Sequence, residues 1–530
     1  MPNRFNIGAL RATVFSMLIG ATLLSHAAAQ NDPGSTASTT ITLFHTNDIH
    51  GHLESWKGWE GELKDQTVGG LDRMAARVRE QRAKLAPNSS LLLDAGDTIG
   101  DTMIAAETEG RAVIDTMNAM GYDAMVVGNH EPDFTAEKLR ARIAEAKFPV
   151  LAANINHRWS GKSFTKPYVI KTVNGVKVGI LGLAYPNTPL TTAKKNVKSL
   201  RFSEAVPTAQ LYVPQMRDEG AQIIVALTHL GLGADKHLAE KVDGIDVIVG
   251  GHSHNRMKDA MRVRQTLIVQ AGAHGSDLGR LDLNIANGKI VSFQRTLIPV
   301  TGPESDSTVA SKITQHKAPH EQKMNAAVGN ASSLIPRAQT LAGQEPGKRD
   351  EESPADDLFA DAVRESTQSQ IAFLPGVGYG VALQPGQIST AQLRNLLPHD
   401  SAIWTMRLTG EQIRDVLEQS IENFSTKDPT KNVGGMIQVS GLQFSYNPEG
   451  VFNQRVQTVT VQGKPLELRK YYRIATNALL AEGGHNYDTF KRGRERREAG
   501  KQFEMIKSWI AARGNVAAPP TDRITKLGGK

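Results

Sequence analysis

The chain has 530 residues, with 61 lysines and arginines against 54 aspartates and glutamates, a formal net charge of +7 and no cysteine. A sequence without cysteine has neither a disulfide framework nor a cysteine-linked lipid. The small positive excess is spread over a long chain, and no basic tract interleaved with aromatic residues indicates nucleic-acid binding. We therefore expect a small anionic substrate, no nucleic-acid partner and more than one domain.

Residues 1–29 have the pattern of a secretory signal peptide. Arg4 and Arg11 precede an apolar stretch, 14–24, and a run of three alanines ends at Ala29. The apolar stretch is shorter than the roughly 20 residues that span a bilayer, which disfavours the alternative of a membrane anchor. We expect cleavage after Ala29 and a periplasmic or secreted product with no stable membrane anchor.

Five apolar runs between residues 40 and 254 end in side chains that bind metals. The first, TITLFHTNDIHGHL, predicts a buried strand that leads to Asp48 and His50. In open α/β sheets ligands bind beyond the carboxyl ends of the strands, and carboxylate, amide and imidazole groups suit divalent cations. Any single residue is better explained as a turn former, a cap or a hydrogen-bonded histidine, but five compatible runs predict a pair of divalent metal ions. The later runs end at Asp97, at 129–133, at His229, and at His252 with His254.

Residues 40–302 are expected to form one layered α/β domain in which helices cover the sheets. The segments 71–85 and 135–146 have the apolar spacing of packing helices, whereas 176–183 and 266–269 have the composition of buried strands. The basic residues of 71–85 are better explained by a solvated helix face than by a phosphate site.

The rest of the chain predicts a connector and a second domain. From 303 to 348 the composition shifts to Ser, Thr, Ala, Gln, Lys and His, with little that could build a core. An α+β domain is expected over 349–530, and its clearest element is a helix at 408–421. This half contains no run that ends in a metal cluster. We therefore expect it to recognise the substrate.

Two sets of motifs resemble the secreted 5′-nucleotidase family. NDIHGHL, LLLDAGDTIGDT, VVGNHEPDF, ALTHLG and GGHSHN resemble its dinuclear metallophosphoesterase domain. LTGEQIRDVLEQS, GGMIQVSGLQFSYNP and YRIATNALLAEGGHNYDTF resemble its C-terminal domain. The resemblance implies an N-terminal layered α/β/β/α metallophosphoesterase domain, a C-terminal α+β substrate-binding domain, and a metal-dependent phosphoric ester hydrolase.

The resemblance also implies a ligand set for two divalent ions, and manganese, zinc and iron all remain open. Asp97 is expected to bridge the ions, while His130 and Asp133 form the catalytic dyad beside the scissile phosphate. Asp94 and Asp101 are left out of the set because a carboxylate near a strand end is more often a structural hydrogen-bond acceptor. One ion is expected at Asp48, His50, Asp97 and His254, and the other at Asp97, Asn129, His229 and His252.

The departures from the family lie in the expected substrate site. Relatives that act on nucleotides have an arginine-bearing loop near FLPGVGYG, where this chain has Tyr379. They stack the base between two aromatic residues, at positions that are here Met436 and Tyr487, and both side chains are equally well explained as core residues. A related branch, the thiosulfohydrolases of bacterial sulfur oxidation, has a passage similar to 375–387 and also lacks the nucleotide loop. The stretch LPHDSA around His399 lacks the usual small polar turn.

Three hypotheses follow. The favoured one is an exported phosphoesterase that hydrolyses 5′-nucleotides to nucleoside and phosphate, with nucleotide sugars and 2′,3′-cyclic nucleotides as further substrates. The alternative is a thiosulfohydrolase-like enzyme that uses the same metal centre on a carrier-bound sulfur substrate. A catalytically silent binding protein is disfavoured because the ligand set is complete.

Overall fold

The computed structural model describes residues 38–337, 350–376 and 381–528, so the predicted signal peptide and Tyr379 lie outside the described residues. In the described parts, no helix combines the length and the apolar character needed to cross a bilayer. The strands β1 to β28 are, in chain order, Thr39–Thr46, Ser55–Lys57, Thr67–Gly69, Ser90–Asp94, Ala124–Val126, Val150–Leu151, Ile155–His157, Tyr168–Val173, Val176–Leu183, Leu200–Phe202, Ile223–Thr228, Val247–Val249, Met261–Val263, Thr266–Val269, Asp277–Ala286, Lys289–Pro299, Ala327–Ala331, Ile371–Gly376, Gly386–Ser389, Ala402–Thr409, Gly435–Ser440, Leu442–Tyr446, Val456–Val461, Lys464–Pro465, Tyr471–Asn477, Arg494–Lys501, Asn515–Val516 and Ile524–Lys526.

The α-helices α1 to α15 are Leu71–Arg82, Met103–Glu107, Arg111–Met120, Ala136–Glu145, Thr188–Thr191, Lys194–Val197, Ala205–Asp218, Leu232–Lys241, Ser307–Lys317, Glu321–Asn325, Pro354–Ser366, Thr390–Leu396, Gly410–Ser425, Ala478–Ala481 and Gln502–Arg513. Short 3₁₀-helices span Gly61–Leu63, Glu131–Phe134, Ala318–His320, Gly484–Asn486 and Asp488–Arg492.

Two six-stranded sheets pack face to face in residues 38–302, which we call the N-terminal region. Their strand orders are β16-β15-β1-β4-β5-β6 and β13-β14-β12-β11-β9-β8. The inner faces meet through buried aliphatic side chains, such as Leu43 and Leu93 from the first sheet and Val225 and Val249 from the second. The strands β1, β4, β5 and β6 run parallel, as do β9, β11, β12 and β14. Their carboxyl ends therefore meet at common sheet edges.

Helices cover the outer faces of both sheets. α1, α3, α4 and α9 pack on the first sheet, and α7 and α8 pack on the second. The predicted helices 71–85 and 135–146 correspond to α1 and α4, and the predicted strands 176–183 and 266–269 are β9 and β14. The α/β/β/α layering is thus confirmed.

The segment 303–348 differs from the expectation that it contributes little to a core. In its described part, α9 inserts Val309 and Ile313 into the helix layer over the first sheet, and both are nearly inaccessible to solvent. One apolar stripe is enough to anchor a helix whose other residues are polar. Further along the same segment, β17 pairs with β19 and β27.

Residues 327–528, which we call the C-terminal region, have α+β architecture as expected. A five-stranded sheet of order β21-β18-β25-β20-β26 carries α11 and α15 on one face and α13 on the other. Another sheet of this region has four strands, in the order β24-β23-β22-β28. α13 is the predicted helix 408–421, and Thr409 and Gln412 form a capping box that fixes its start.

The two regions meet along a seam in which side chains of the N-terminal region donate to main-chain oxygens of the C-terminal region. Tyr185 Oη donates to the carbonyl of Asn432, and Asn187 Nδ2 donates to the carbonyl of Thr430, both at 2.7 Å. The ring of Tyr185 also stacks on His252, with centroids 4.2 Å apart. A residue of the seam, Tyr185, therefore contacts a predicted metal-binding residue.

Candidate metal centre and catalytic dyad

The predicted metal-binding residues lie just beyond the carboxyl ends of strands in both sheets. Five of them have φ between 50° and 75°, a region that residues other than glycine rarely adopt. Such strained turns persist where the surrounding structure fixes them, and they cluster at functional sites. The residues follow β1, β4, β5, β11 and β12 in turn: Asp48 and His50, Asp97, Asn129, His229, and His252 with His254.

The ligand atoms gather in two groups, and within each group they lie within 4.8 Å of one another. In the first, Nε2 of His50 lies 3.1 Å from Nε2 of His254. In the second, Nε2 of His229 lies 2.9 Å from Oδ2 of Asp97. The groups adjoin, because the same His229 nitrogen is 3.9 Å from Oδ1 of Asp48. The groups are Asp48, His50 and His254, and Asp97, His229 and His252.

Two buried polar atoms fit a bound cation. Oδ1 of Asn129 is inaccessible to solvent and has no hydrogen-bond partner among the described residues, and leaving a buried amide oxygen in that state costs free energy. Nδ1 of His229 lies 2.7 Å from the carbonyl oxygen of Ala95 and, as the donor, leaves the lone pair on Nε2. Second contacts of this kind fix the tautomer of histidines that ligate metals.

The charges in the centre also favour a cation. Burial raises the pKa of Asp48, but the surrounding imidazoles, His254 foremost, outweigh burial and lower the pKa to about 2. Burial lowers the pKa of His229, but the carboxylate of Asp97 reverses this and raises the pKa to about 9. The carboxylates thus hold positive charge on neighbouring rings, and a metal ion replaces such protons when it binds.

His130 and Asp133 form a hydrogen-bonded pair beside Asp97. His130 Nδ1 lies 2.8 Å from Asp133 Oδ2, and His130 Nε2 lies 3.9 Å from Asp97 Oδ2. The backbone N–H of His130 donates to Asp97 at 2.8 Å. Burial lowers the pKa of His130, but the carboxylates of Asp97, Asp133 and Asp101 raise it well above the ordinary value. The ring can therefore carry positive charge at neutral pH.

Two carboxylates that sequence reasoning did not assign to the site hold it in place. Asp101 hydrogen bonds with Nδ1 of His50, which turns the other ring nitrogen toward the metal centre. Glu131 accepts from the backbone N–H groups of Asp97 at 3.0 Å and of Gly128 at 2.6 Å. Both lie inside the quoted motifs, but nothing local in the sequence indicates which atoms they reach.

His399, in the C-terminal region, is a third residue that sequence reasoning did not assign to the site. Its ring stacks on that of His130, and its Nδ1 lies 3.6 Å from Asp101 and 3.7 Å from Asp133. The unusual LPHDSA stretch was the available sequence signal. His399 therefore forms part of the wall around the dyad.

A cavity of about 820 Å³ joins these groups to the C-terminal region. Side chains of both regions line it. From the N-terminal region they include His50, Asp97, Asn129, His130 and Asp133, and from the C-terminal region they include Arg394, His399, Trp404, His485 and Gln502.

Met436 and Tyr487, the predicted stacking residues, are fully buried between α13 and the five-stranded sheet. The hydroxyl of Ser420 hydrogen bonds with the sulfur of Met436 at 3.3 Å, which holds that side chain against α13. Neither Met436 nor Tyr487 is among the described residues that line the cavity. Their role in substrate binding stays a prediction, and Tyr379, the third such residue, lies outside the described residues.

Comparisons with known proteins agree with this geometry. Residues 41–256 match the family model of the calcineurin-like phosphoesterases, and residues 328–492 match that of the 5′-nucleotidase C-terminal domain. The chain belongs to the 5′-nucleotidase family. Members pair a metallophosphoesterase domain with this C-terminal domain, and the protein is accordingly a metal-dependent phosphoesterase.

Individual relatives and solved structures match nearly the whole chain. The trifunctional nucleotide phosphoesterase protein YfkN of Bacillus subtilis (strain 168) is 27% identical over 93% of this chain, which spans only 35% of that longer protein. The structure of a 5′-nucleotidase precursor from Thermus thermophilus matches with a TM-score of 0.83 and 27% identity, over 93% of this chain and 100% of that one. The sulfate thiohydrolase SoxB of the same organism shares the fold, with a TM-score of 0.82 and 24% identity over 92% and 97% of the chains.

Proposed function

We propose that the protein hydrolyses 5′-nucleotides to nucleoside and inorganic phosphate at a dinuclear metal centre. The observation that carries the proposal is the shared cavity, into which both Asp/His groups and the His130–Asp133 pair open. When bound there, two metal ions would polarise a phosphoryl group and supply a hydroxide nucleophile at neutral pH. Nucleoside monophosphates are the proposed main substrates, with nucleotide sugars and 2′,3′-cyclic nucleotides as further ones.

The proposed metal ligands are those that the family resemblance implies. The proximity of the ligand atoms and the orphaned oxygen of Asn129 support the assignment. Asp97 is the proposed bridge because its carboxylate has two oxygens and lies next to His229 and His130. Manganese, zinc and iron all accept these donors. One ion would be held by Asp48, His50, Asp97 and His254, and the other by Asp97, Asn129, His229 and His252.

The dyad supplies charge stabilisation. His130 holds a proton between the carboxylates around it, and Asp133 fixes the ring through Nδ1. The remaining N–H, at Nε2, then donates to an oxygen of the phosphoryl group as negative charge develops there. Asp133 therefore orients the ring and favours its charged form.

We also propose the domain limits and the location. Residues 40–302 form the catalytic domain and 349–530 the substrate-recognition domain, with 303–348 as a connector whose β17 completes a sheet of the second domain. The signal-peptide pattern of 1–29 supports export. Sequencing the amino terminus of the exported protein should find Gln30 as the first residue, and an intact Met1 would contradict export by cleavage.

The function is tested by phosphate release from AMP, GMP, CMP and UMP by the metal-loaded protein. We expect turnover of all four with little discrimination among bases, because the predicted stacking residues do not line the described cavity. The Asp97→Asn protein, purified in the same way, controls for contaminating phosphatases. Release of sulfate from a carrier-linked thiosulfonate, with no phosphate from any nucleotide, would favour the thiosulfohydrolase-like alternative.

A further inference from the structure

Arg394 is a cation of the catalytic cavity on whose charge several carboxylates act, Asp400 and Asp101 foremost. It lies in the last turn of α12, is partly buried, and lines the cavity. Its guanidinium makes no hydrogen bond or ion pair with the part of the chain that the structure describes, and its Cζ lies 5.3 Å from the ring centroid of Phe503. A guanidinium has five N–H donors, and burying them without acceptors costs free energy.

Gln502 lines the same cavity and has a buried amide oxygen without a hydrogen-bond partner among the described residues. The residue is only 4% exposed. It directly precedes Phe503, on whose ring Arg394 rests, and its backbone N–H donates to the carbonyl of Ser401 at 2.9 Å. Buried amides are nearly always hydrogen-bonded, so this one indicates a polar ligand.

The neighbour of Arg394 places α12 beside the catalytic centre. Oδ1 of Asn395 accepts from the backbone N–H of Met103 at 3.3 Å, across the seam. Met103 lies two residues after Asp101, which hydrogen bonds with His50. α12 is thus docked on the loop that orients a metal-binding residue.

We propose that Arg394, together with the amide of Gln502, binds phosphate oxygens of the substrate. This inference rests on the proposed function, because it places a phosphate-bearing substrate in the same cavity. A guanidinium donates two parallel hydrogen bonds to a phosphate, which lysine and glutamine cannot imitate. Nε2 of Gln502 donates to the same anion. The phosphate is either the transferred group or a second phosphate of the substrate.

Calorimetric titration of the metal-loaded full chain with inorganic phosphate tests the site without turnover. We expect Arg394→Gln to weaken phosphate binding at least tenfold, Arg394→Lys to weaken it less, and Gln502→Leu to weaken it severalfold, all at unchanged metal content. Arg407→Gln is the matched control, since Arg407 is 53% exposed and paired with Glu495. If Arg394→Gln does not fold, as judged by thermal unfolding, the other two variants decide.

Titration with a nucleoside monophosphate and with a methylene-bridged nucleoside diphosphate, which resists hydrolysis, separates the two sources of phosphate. If Arg394→Gln weakens the binding of inorganic phosphate, the monophosphate and the diphosphate alike, Arg394 binds the transferred phosphoryl group. If the variant weakens the binding of the diphosphate alone, Arg394 binds a second phosphate of the substrate. Folded Arg394→Gln protein that binds every ligand as the parent does would overturn the inference. A parent that binds phosphate through Arg394 but releases none from nucleotides would contradict the proposed function alone.

Discussion

His399 stacks on His130 with ring centroids 4.7 Å apart and an angle of 14° between the planes. Burial lowers the pKa of His399 to about 4, whereas the surrounding carboxylates raise that of His130 well above its ordinary value. A neutral ring therefore lies against a charged one, an arrangement that the attraction between a cation and a π face stabilises. The C-terminal region thus contributes directly to the state of the dyad.

Replacing His399 by alanine removes this stack. Because ring pairs contribute about 0.5–1.5 kcal/mol beyond their buried area, we expect kcat to fall by roughly 2–10-fold. Steady-state kinetics with metal analysis checks this, and His399→Phe, which keeps a ring, should recover part of the loss. Loss of bound metal in the alanine variant would instead place His399 among the ligands.

Asp97→Asn should weaken the binding of both metal ions, because the proposed bridge loses its charge. His254→Gln should be mild, since glutamine also offers an oxygen ligand. Metal content and turnover of the two purified variants provide the test. Equal losses in both would contradict the proposed ligand assignment.

His130→Ala should keep its metal ions while kcat falls by about 10²–10⁴, the range for a positioned acid, base or charge stabiliser. Asp133→Asn, which leaves the ring in place but removes the charge that favours its protonated form, should lie between this variant and the parent. A fully active His130→Ala protein would remove the residue from the mechanism.

Tyr487 is fully buried in the core between α13 and the five-stranded sheet, so Tyr487→Ala should lower the free energy of unfolding by about 3–5 kcal/mol, the range for truncating a buried aromatic side chain. Denaturant unfolding measures this effect, and KM for AMP is measured beside it. A raised KM at unchanged stability would show instead that Tyr487 reaches the substrate, as the family resemblance implies.

Burial raises the pKa of Asp357 from 3.8 to about 9, and Glu352 adds to the shift. The folded chain therefore keeps this proton over a pH range in which the unfolded chain has lost it, so stability falls as the pH rises from about 4 to about 9. Asp357→Asn should raise Tm increasingly over that range. Asp243→Asn, at a carboxylate that is 86% exposed, is the control, and a constant difference from pH 5 to 8 would contradict the prediction.

The sequence predicts the strand ends well because each run contains both the buried strand and its polar terminus. Asp94 was expected to be a structural acceptor, and it accepts hydrogen bonds from Thr46 and Thr98. What local pattern does not contain is the distance between separate elements. The contact of Asp101 with His50 depends on two loops meeting, and the place of His399 depends on how the C-terminal region docks.

Residues that bind the substrate are harder to predict from the sequence for a related reason. Met436 and Tyr487 occupy the sequence positions expected for base stacking, but sequence position alone does not decide whether a side chain points into the core or the cavity. Small differences in strand and turn geometry decide this, and here both side chains are in the core.

Two hydrogen bonds of the seam place unequal demands on its two sides. Tyr185 and Asn187 donate from their side chains, whereas the acceptors at 430 and 432 are backbone oxygens that every amino acid carries. The residues that present those acceptors are therefore free to diverge without loss of docking, while the donors are constrained. Among descendants of one ancestral chain, positions 430 and 432 should therefore vary more than Tyr185 and Asn187, while the joint with the catalytic centre is retained. Asn395 is the exception on the C-terminal side, because there the side chain is the acceptor.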